Sequence, residues 1–179
     1  MMNSIAPGMI LILGSLLIPF LRGTMAKAVA LALPIISAVH MAMFPKDMVI
    51  QAEIFDFTLT LTQIDNLSLV WGYIFHLAAL ISVIYQLHVK DNMQDVSGIM
   101  YAGAAIAAVF VGDLISLFIF WELTAITSVF LIYARRTERS ATVGTRYMVI
   151  QVASGVILLF GVMLWYKSTG SIMFGQPFT

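Results

Sequence analysis

The sequence predicts an all-α, polytopic transmembrane helix bundle with six spans and one short extracytoplasmic β-strand or hairpin. Apolar residues make up 61% of the 179-residue chain, charged residues only 10%, and the mean hydropathy is +0.99. Because soluble domains carry about 25% charged residues, this chain cannot cover a surface that faces water. Apolar runs of transmembrane length recur along it, which predicts a single transmembrane domain over residues 1–179.

The charge balance and the missing residue types exclude several functions. Nine Lys and Arg residues balance nine Asp and Glu residues, whereas a nucleic-acid-binding chain needs a basic excess. The chain has no cysteine, which rules out disulfides, thiolate metal sites and a cysteine nucleophile. It also lacks a glycine-rich phosphate loop, metal-ligand spacing and a Ser-His-Asp set. We therefore expect no cofactor, no metal and no enzymatic activity of the chain on its own.

Six apolar runs match the length that crosses a hydrocarbon core of about 30 Å, which takes about 20 residues. The first ends before Arg22 and lacks the basic start and cleavage site of a signal peptide, so we expect a retained helix. The second contains Pro34, which neighbouring helices can accommodate. One long run divides at a tight turn, Gly112-Asp113. The predicted spans cover residues 5–21, 25–44, 67–87, 94–112, 114–134 and 142–166.

The basic residues predict the direction of the spans, because Lys and Arg concentrate in cytoplasmic loops. One side of the predicted bundle holds only Lys46 and Lys167. The other side holds the remaining Lys and Arg residues, namely Arg22, Lys27, Lys90, Arg135, Arg136, Arg139 and Arg146. We therefore expect both termini to lie outside the cytoplasm.

The connection between the second and third spans contains a strand pattern. Apolar and polar residues alternate without a break from Phe55 to Thr62, which is the two-residue period of a half-buried strand. Val49 and Ile50 are candidates for the start of a partner strand, although no Asn-Gly or Asp-Gly turn marks a hairpin. Two interpretations stay open: a strand that pairs with a neighbouring subunit, or a local cover over the helix ends.

Glu122 is the most informative residue, because it lies close to the middle of the fifth predicted span. A carboxylate at the bilayer centre costs about 2.5–3.5 kcal/mol on insertion scales. It must therefore face protein or water, find a partner, or take up a proton. Its own helical face carries apolar residues such as Phe118 and Ile126, so a partner must come from another helix. Glu122 is either part of a proton pathway or a structural carboxylate bonded to a Ser, Thr or His of an adjacent span.

Three further residues are candidates for proton relay or support. His76 lies midway along the third span, where a neutral imidazole can relay protons or simply hydrogen-bond to nearby backbone. Asp113 lies at the outer turn, where an N-cap for the fifth span is the alternative to a relay. Arg146 lies about one turn inside the cytoplasmic boundary and can extend to the interface. Glu122 is roughly 18 Å from that boundary along a helix, so we expect no direct contact between Arg146 and Glu122.

Two segments resemble a known family. The first runs from Gly112 to Leu123 and reads GDLISLFIFWEL; the second runs from Gly144 to Gly155 and reads GTRYMVIQVASG. They are similar to the antiporter-like membrane subunits, which comprise the proton-pumping subunits of respiratory complex I and the D-type subunits of Mrp cation/proton antiporters. The resemblance covers the N-terminal six-helix portion of a family member and implies a bacterial inner (cytoplasmic) membrane protein.

The resemblance also implies roles for particular residues. Glu122 matches the glutamate of the family's fifth helix, which participates in proton translocation. The family pairs that glutamate with a lysine on the seventh helix, which lies beyond the six predicted spans. Some relatives carry Lys where this chain has Arg146. A complete relay would then need further helices, which a second chain is a candidate to supply.

Two functions remain in view. In the first, the chain contributes Glu122 to proton or cation/proton translocation within a larger complex. In the second, it is a non-transporting structural subunit that braces a respiratory or photosynthetic membrane complex, and Glu122 is neutral and hydrogen-bonded. Both imply partners among other membrane subunits and the lipid bilayer. The intact Trp121-Glu122 pair favours the first.

Overall fold

The computed structural model describes residues 5–54 and 57–174, which form a helical bundle with one two-stranded sheet. Within these residues, five helices are long and apolar enough to span a membrane. They are α2 (Thr24–Ala42), α3 (Asn66–Gln86), α4 (Asn92–Phe110), α5 (Leu114–Tyr133) and α6 (Glu138–Thr169). The turn between α4 and α5 falls at Gly112-Asp113, as the sequence predicts. The chain is an integral membrane protein.

The first apolar run differs from the sequence prediction. It forms a short helix, α1 (Met9–Ser15), and a 3-10 turn (Ile18–Phe20) that contains a proline. Proline disrupts the regular hydrogen bonds of a helix interior, so α1 does not continue. A segment of about 12 helical residues rises about 18 Å, less than the hydrocarbon core of about 30 Å. The structure thus supports five spans of the predicted six, and the sixth is not confirmed.

The long helices alternate in direction, which creates two distinct ends of the bundle. At one end α3 leads into α4 and α5 leads into α6. We call it the arginine end because Arg135, Arg136 and Arg139 lie there. Arg136 Nη2 lies 3.1 Å from Asp91 Oδ1 and so joins the two connections. The opposite end, where α4 turns into α5 and the β-strands lie, is the hairpin end.

The packing places α4 at the centre and α6 at the periphery. α4 contacts α1, α3 and α5, whereas α6 packs against α5. Leu11, Met41 and Phe110 are fully buried in the core that joins the first four helices. In the most apolar stretch of α6 only 11% of the residues are buried, against 44% for α4. Lipid or another protein must therefore cover most of α6.

The segment between α2 and α3 is an antiparallel hairpin. β1 (Val49–Ile54) pairs with β2 (Phe57–Gln63), which confirms the partner strand that the sequence predicts from Val49. The first residues of the alternating pattern, 55 and 56, lie outside the described residues. The carbonyl of Thr60 accepts a hydrogen bond of 2.9 Å from Gly112 N–H. The hairpin thus covers the α4–α5 turn; its pairing with a neighbouring subunit stays a prediction.

Side chains cap the N-termini of four helices. The carboxylates of Asp65, Asp91 and Asp113 accept backbone N–H groups in the first turns of α3, α4 and α5, and Thr137 forms a capping box with Ser140 at the start of α6. These bonds satisfy backbone donors that a helix leaves free. At Asp65, hydrogen bonds from the Ser68 backbone N–H and hydroxyl lower the pKa of the carboxyl below its ordinary value. The caps define where each helix begins.

Candidate functional site

The site centres on Glu122, which α5 places near its own middle and against α6. Residue 155 on α6 is a glycine, and a Cβ added there would collide with Glu122 Oε1 and lie 2.6 Å from its carboxyl carbon. The missing side chain at Gly155 therefore lets the carboxyl reach the backbone of α6. The partner element of Glu122 is another helix, as the sequence predicts.

The carboxyl of Glu122 is incompletely bonded. Its Oε1 atom is buried and has no hydrogen-bond partner within residues 5–54 and 57–174. An ionised carboxylate buried without a partner is costly, because it loses its water and gains nothing in return. The group can meet that cost by holding a proton or by meeting a cation. Of the two sequence interpretations, the structure offers no Ser, Thr or His bond to Oε1 in the part of the chain it describes.

A polar row lies on the same helix interface, toward the arginine end. Ser128 Oγ on α5 lies 3.0 Å from the hydroxyl of Tyr147 on α6. Gln151 Nε2 donates to that hydroxyl at 3.1 Å. Sequence reasoning missed this row, although Tyr147 and Gln151 are one helical turn apart and so share a face. The missing information was that Ser128 faces them from α5.

His76 is brought to a different place. Its Nδ1 lies 2.7 Å from the carbonyl oxygen of Gly72, and its Nε2 lies 2.9 Å from Ser37 Oγ on α2. A neutral ring with its proton on Nδ1 satisfies both contacts, because it donates to the carbonyl and accepts from the hydroxyl. The ring is buried, with 3% exposure. His76 therefore ties α3 to α2, and a relay role for it stays a prediction.

Asp113 is the fully buried N-cap of α5. Its Oδ1 accepts the backbone N–H of Ser116 at 2.7 Å, and its Oδ2 accepts the Ser116 hydroxyl at 2.7 Å. Oδ2 also accepts the backbone N–H of Thr60 from β2. One carboxylate thus caps a helix and anchors the hairpin. The N-cap that the sequence analysis considers for Asp113 is confirmed.

Arg146 and Glu122 are not brought together. Arg146 is exposed on α6, and Gly155, which contacts Glu122, lies nine residues further on, about 14 Å along the helix axis. Arg146 forms no salt bridge with any of the described residues. Its supporting role stays a prediction.

The structure shows a buried ion pair that sequence reasoning missed. Lys27 Nζ lies 2.6 Å and 2.9 Å from the two carboxylate oxygens of Asp95, and 3.3 Å from the carbonyl oxygen of Gln86. Asp95 is 4% exposed and Lys27 20%. A signal was available, because both residues lie in the first turns of spans that start on the same predicted side. Opposite charges in that arrangement can meet.

Comparison with known proteins places these residues in a family. Residues 111–178 match the family model described as NADH:quinone oxidoreductase/Mrp antiporter, transmembrane. The matched segment contains Asp113, Glu122 and Arg146. This chain is related to the Mrp antiporter and NADH:quinone oxidoreductase membrane subunits.

Individual relatives of these antiporter-like subunits align over part of the chain. One Na(+)/H(+) antiporter subunit from Bacillus subtilis is 33% identical over 98 residues, which is 53% of this chain and 12% of the relative. NADH-quinone oxidoreductase subunit N of Rhizorhabdus wittichii is 38% identical over 64 residues, or 35% of this chain and 13% of the relative. The aligned segments thus span less than a fifth of these curated relatives.

The antiporter-like fold is also present in a solved structure. A chain in the structure of the membrane-bound sulfane sulfur reductase, an archaeal respiratory membrane complex, superimposes with a TM-score of 0.79. The match covers 92% of this chain and 37% of that chain, at 16% sequence identity. At this identity the likeness is one of fold.

Proposed function

We propose that this chain contributes Glu122, as an intramembrane carboxylate, to proton or cation/proton translocation within a larger membrane complex. The observation that carries the proposal is the buried, unbonded Oε1 of Glu122 against Gly155, at the middle of a transmembrane helix. A carboxyl group in that state changes its protonation at modest cost when a cation approaches or leaves. Relatives named as antiporter and oxidoreductase subunits support the same function.

The proposal includes partners. A single carboxylate cannot carry protons across a membrane, so the Glu122 site needs a cationic side chain, such as a lysine, on a helix outside residues 1–179. That helix belongs either to a longer polypeptide or to a second membrane subunit. The exposed surface of α6 offers room for such a helix. We place the complex in a bacterial inner membrane, with the arginine end in the cytoplasm.

Replacing Glu122 tests the proposal. Glu122→Gln keeps the shape of the side chain and removes its proton exchange, so we expect ion coupling to be abolished while assembly stays intact. Proton movement is followed with a pH-sensitive dye in membrane vesicles that contain the chain and its neighbouring subunits. Assembly is checked by co-purification in mild detergent.

A matched substitution serves as control. Glu138→Gln makes the same chemical change at the exposed first turn of α6 and should leave coupling unchanged. Full coupling in an assembled Glu122→Gln variant would remove Glu122 from the mechanism. Co-purified subunits that carry no intramembrane cation would contradict the proposed partner.

A further inference from the structure

A groove opens between α3 and α6. One part of it, about 360 Å³, is lined by residues of four helices, among them Phe75, Tyr101, Trp121 and Gln151. A neighbouring cavity of about 460 Å³ shares Phe75 and Tyr101 with it and extends to Gln86, the last residue of α3. The two cavities therefore form one continuous groove that reaches the arginine end.

The polar row of Ser128, Tyr147 and Gln151 lies on the α5–α6 wall of this groove. All three residues line it, and their hydrogen bonds join them into one unit. At the arginine end a further pair follows, in which the Tyr133 hydroxyl lies 3.1 Å from Thr145 Oγ1. Polar side chains within membrane-spanning segments are rare unless they line a pathway or bond to each other.

The row points from the arginine end toward Glu122. Gln151 lies one helical turn from Gly155, about 6 Å along the axis of α6. Gly155 is the residue against which the Glu122 carboxyl packs. The row therefore ends one turn short of the carboxyl, a gap that ordered water can bridge.

We propose that the groove is water-filled and that Ser128, Tyr147 and Gln151 orient its waters into a proton route between the arginine end and Glu122. This inference rests on the proposed function of Glu122. Each water oxygen accepts one proton and releases another, and the Glu122 carboxylate accepts the last, so no other reactant is needed. A groove of this volume holds several waters, and hydroxyl and amide groups supply both donors and acceptors. The three residues are positioning residues.

Cysteine labelling tests the route, because the native chain has no cysteine. Single cysteines replace Ser128, Gln151 or Glu122 in the full chain, in membrane vesicles of known orientation. A charged methanethiosulfonate reagent reacts with the thiolate, which forms only where water reaches the thiol. We expect all three positions to react from the arginine end. The control is Ile150→Cys, next to Gln151 but on the outer surface of α6 with 67% exposure, which should not react in lipid.

A blocking substitution tests the path itself. Added to Glu122→Cys, Gln151→Trp should lower the labelling rate from the arginine end at least tenfold, whereas Ile150→Trp should leave it within twofold. Labelling of Glu122→Cys only from the hairpin end, or no effect of the block, would overturn the route. Where Gln151→Trp fails to insert, unreactive cysteines at 128 and 151 overturn it by themselves.

Labelling separates this inference from the proposed function, because it needs no transport. Full coupling in Glu122→Gln would defeat the function while the groove still labels. Failure of labelling with coupling lost in Glu122→Gln would defeat the route alone.

Discussion

Glu122 meets the backbone of α6 because residue 155 lacks a side chain. A methyl group at that position would displace the carboxyl, which is the end of a flexible side chain and can move. The geometry of the candidate site therefore depends on a glycine as much as on the acid. Asp113 shows the same dependence on a single residue, since one carboxylate caps α5 and anchors β2.

We predict that Gly155→Ala lowers ion coupling by about tenfold to a hundredfold, because misplacing a reacting group by about 1 Å has that effect. Assembly should be retained, since alanine favours helices. The measurement is the dye assay used for Glu122→Gln. Gly161→Ala is the control, because a Cβ at Gly161 meets nothing within 4 Å. Equal coupling in the two variants would show that the contact has no role.

We predict that Asp113→Ala destabilises the protein by about 2–4 kcal/mol. The N-cap contributes about 1 kcal/mol, and the buried N–H of Thr60 then lacks an acceptor, which costs about 1–3 kcal/mol. Thermal unfolding in detergent measures the loss, and protease cleavage of the hairpin should rise. Asp65→Ala removes only a helix cap and should cost about 1 kcal/mol. The interpretation fails if the two variants lose equal stability.

At the scale of the elements, the Lys27–Asp95 pair joins α2 to α4 and, through the carbonyl of Gln86, to α3. The pair lies in the first turns of α2 and α4, at the arginine end. Asp95 is nearly inaccessible, so its charge depends on Lys27 for compensation. At the opposite end Asp113 and Thr60 fasten the hairpin to the α4–α5 turn. The bundle is thus fastened by polar contacts near both membrane surfaces.

We predict that Lys27→Met alone destabilises the protein by about 3–5 kcal/mol, because it leaves a buried carboxylate uncompensated. The double variant Lys27→Met with Asp95→Leu should recover most of that loss, since apolar groups of similar size replace a buried pair at little cost. Thermal unfolding in detergent gives both values. Lys167→Met, at an exposed position in the last turn of α6, should change stability by less than about 0.5 kcal/mol. No recovery in the double variant would contradict a simple ion pair.

At the scale of the whole molecule, the two ends differ in charge. The arginine end carries most of the Lys and Arg residues, and the hairpin end holds Lys46 and Lys167. That bias predicts which end faces the cytoplasm. The groove between α3 and α6 reaches the arginine end, so the same orientation determines from which compartment water enters it.

We predict that single cysteines at Thr24 and Thr137 are labelled only from the cytoplasmic side, because both positions lie at the arginine end. An impermeant maleimide applied to intact cells and to inverted vesicles distinguishes the sides. Gln51→Cys, on the exposed strand β1, should show the opposite result. Labelling of Thr24→Cys or Thr137→Cys from outside would reverse the orientation.

The sequence by itself determined the properties that depend on local composition. Apolar runs located the five long helices, the charge in one of them singled out Glu122, and the two-residue period located β2. A cap such as Asp113 is also readable, because it bonds to residues three positions away. These features need no knowledge of what lies next to a helix.

Only the tertiary structure decided which surfaces meet. Membrane helices are apolar on every side, so their periodicity does not show which face touches a neighbour. That Glu122 meets Gly155, that Lys27 pairs with Asp95, and that Ser128 faces Tyr147 follow from the packing of separate helices. The short α1 belongs with them, because burial against α4 compensates a helix that is too short to span a membrane.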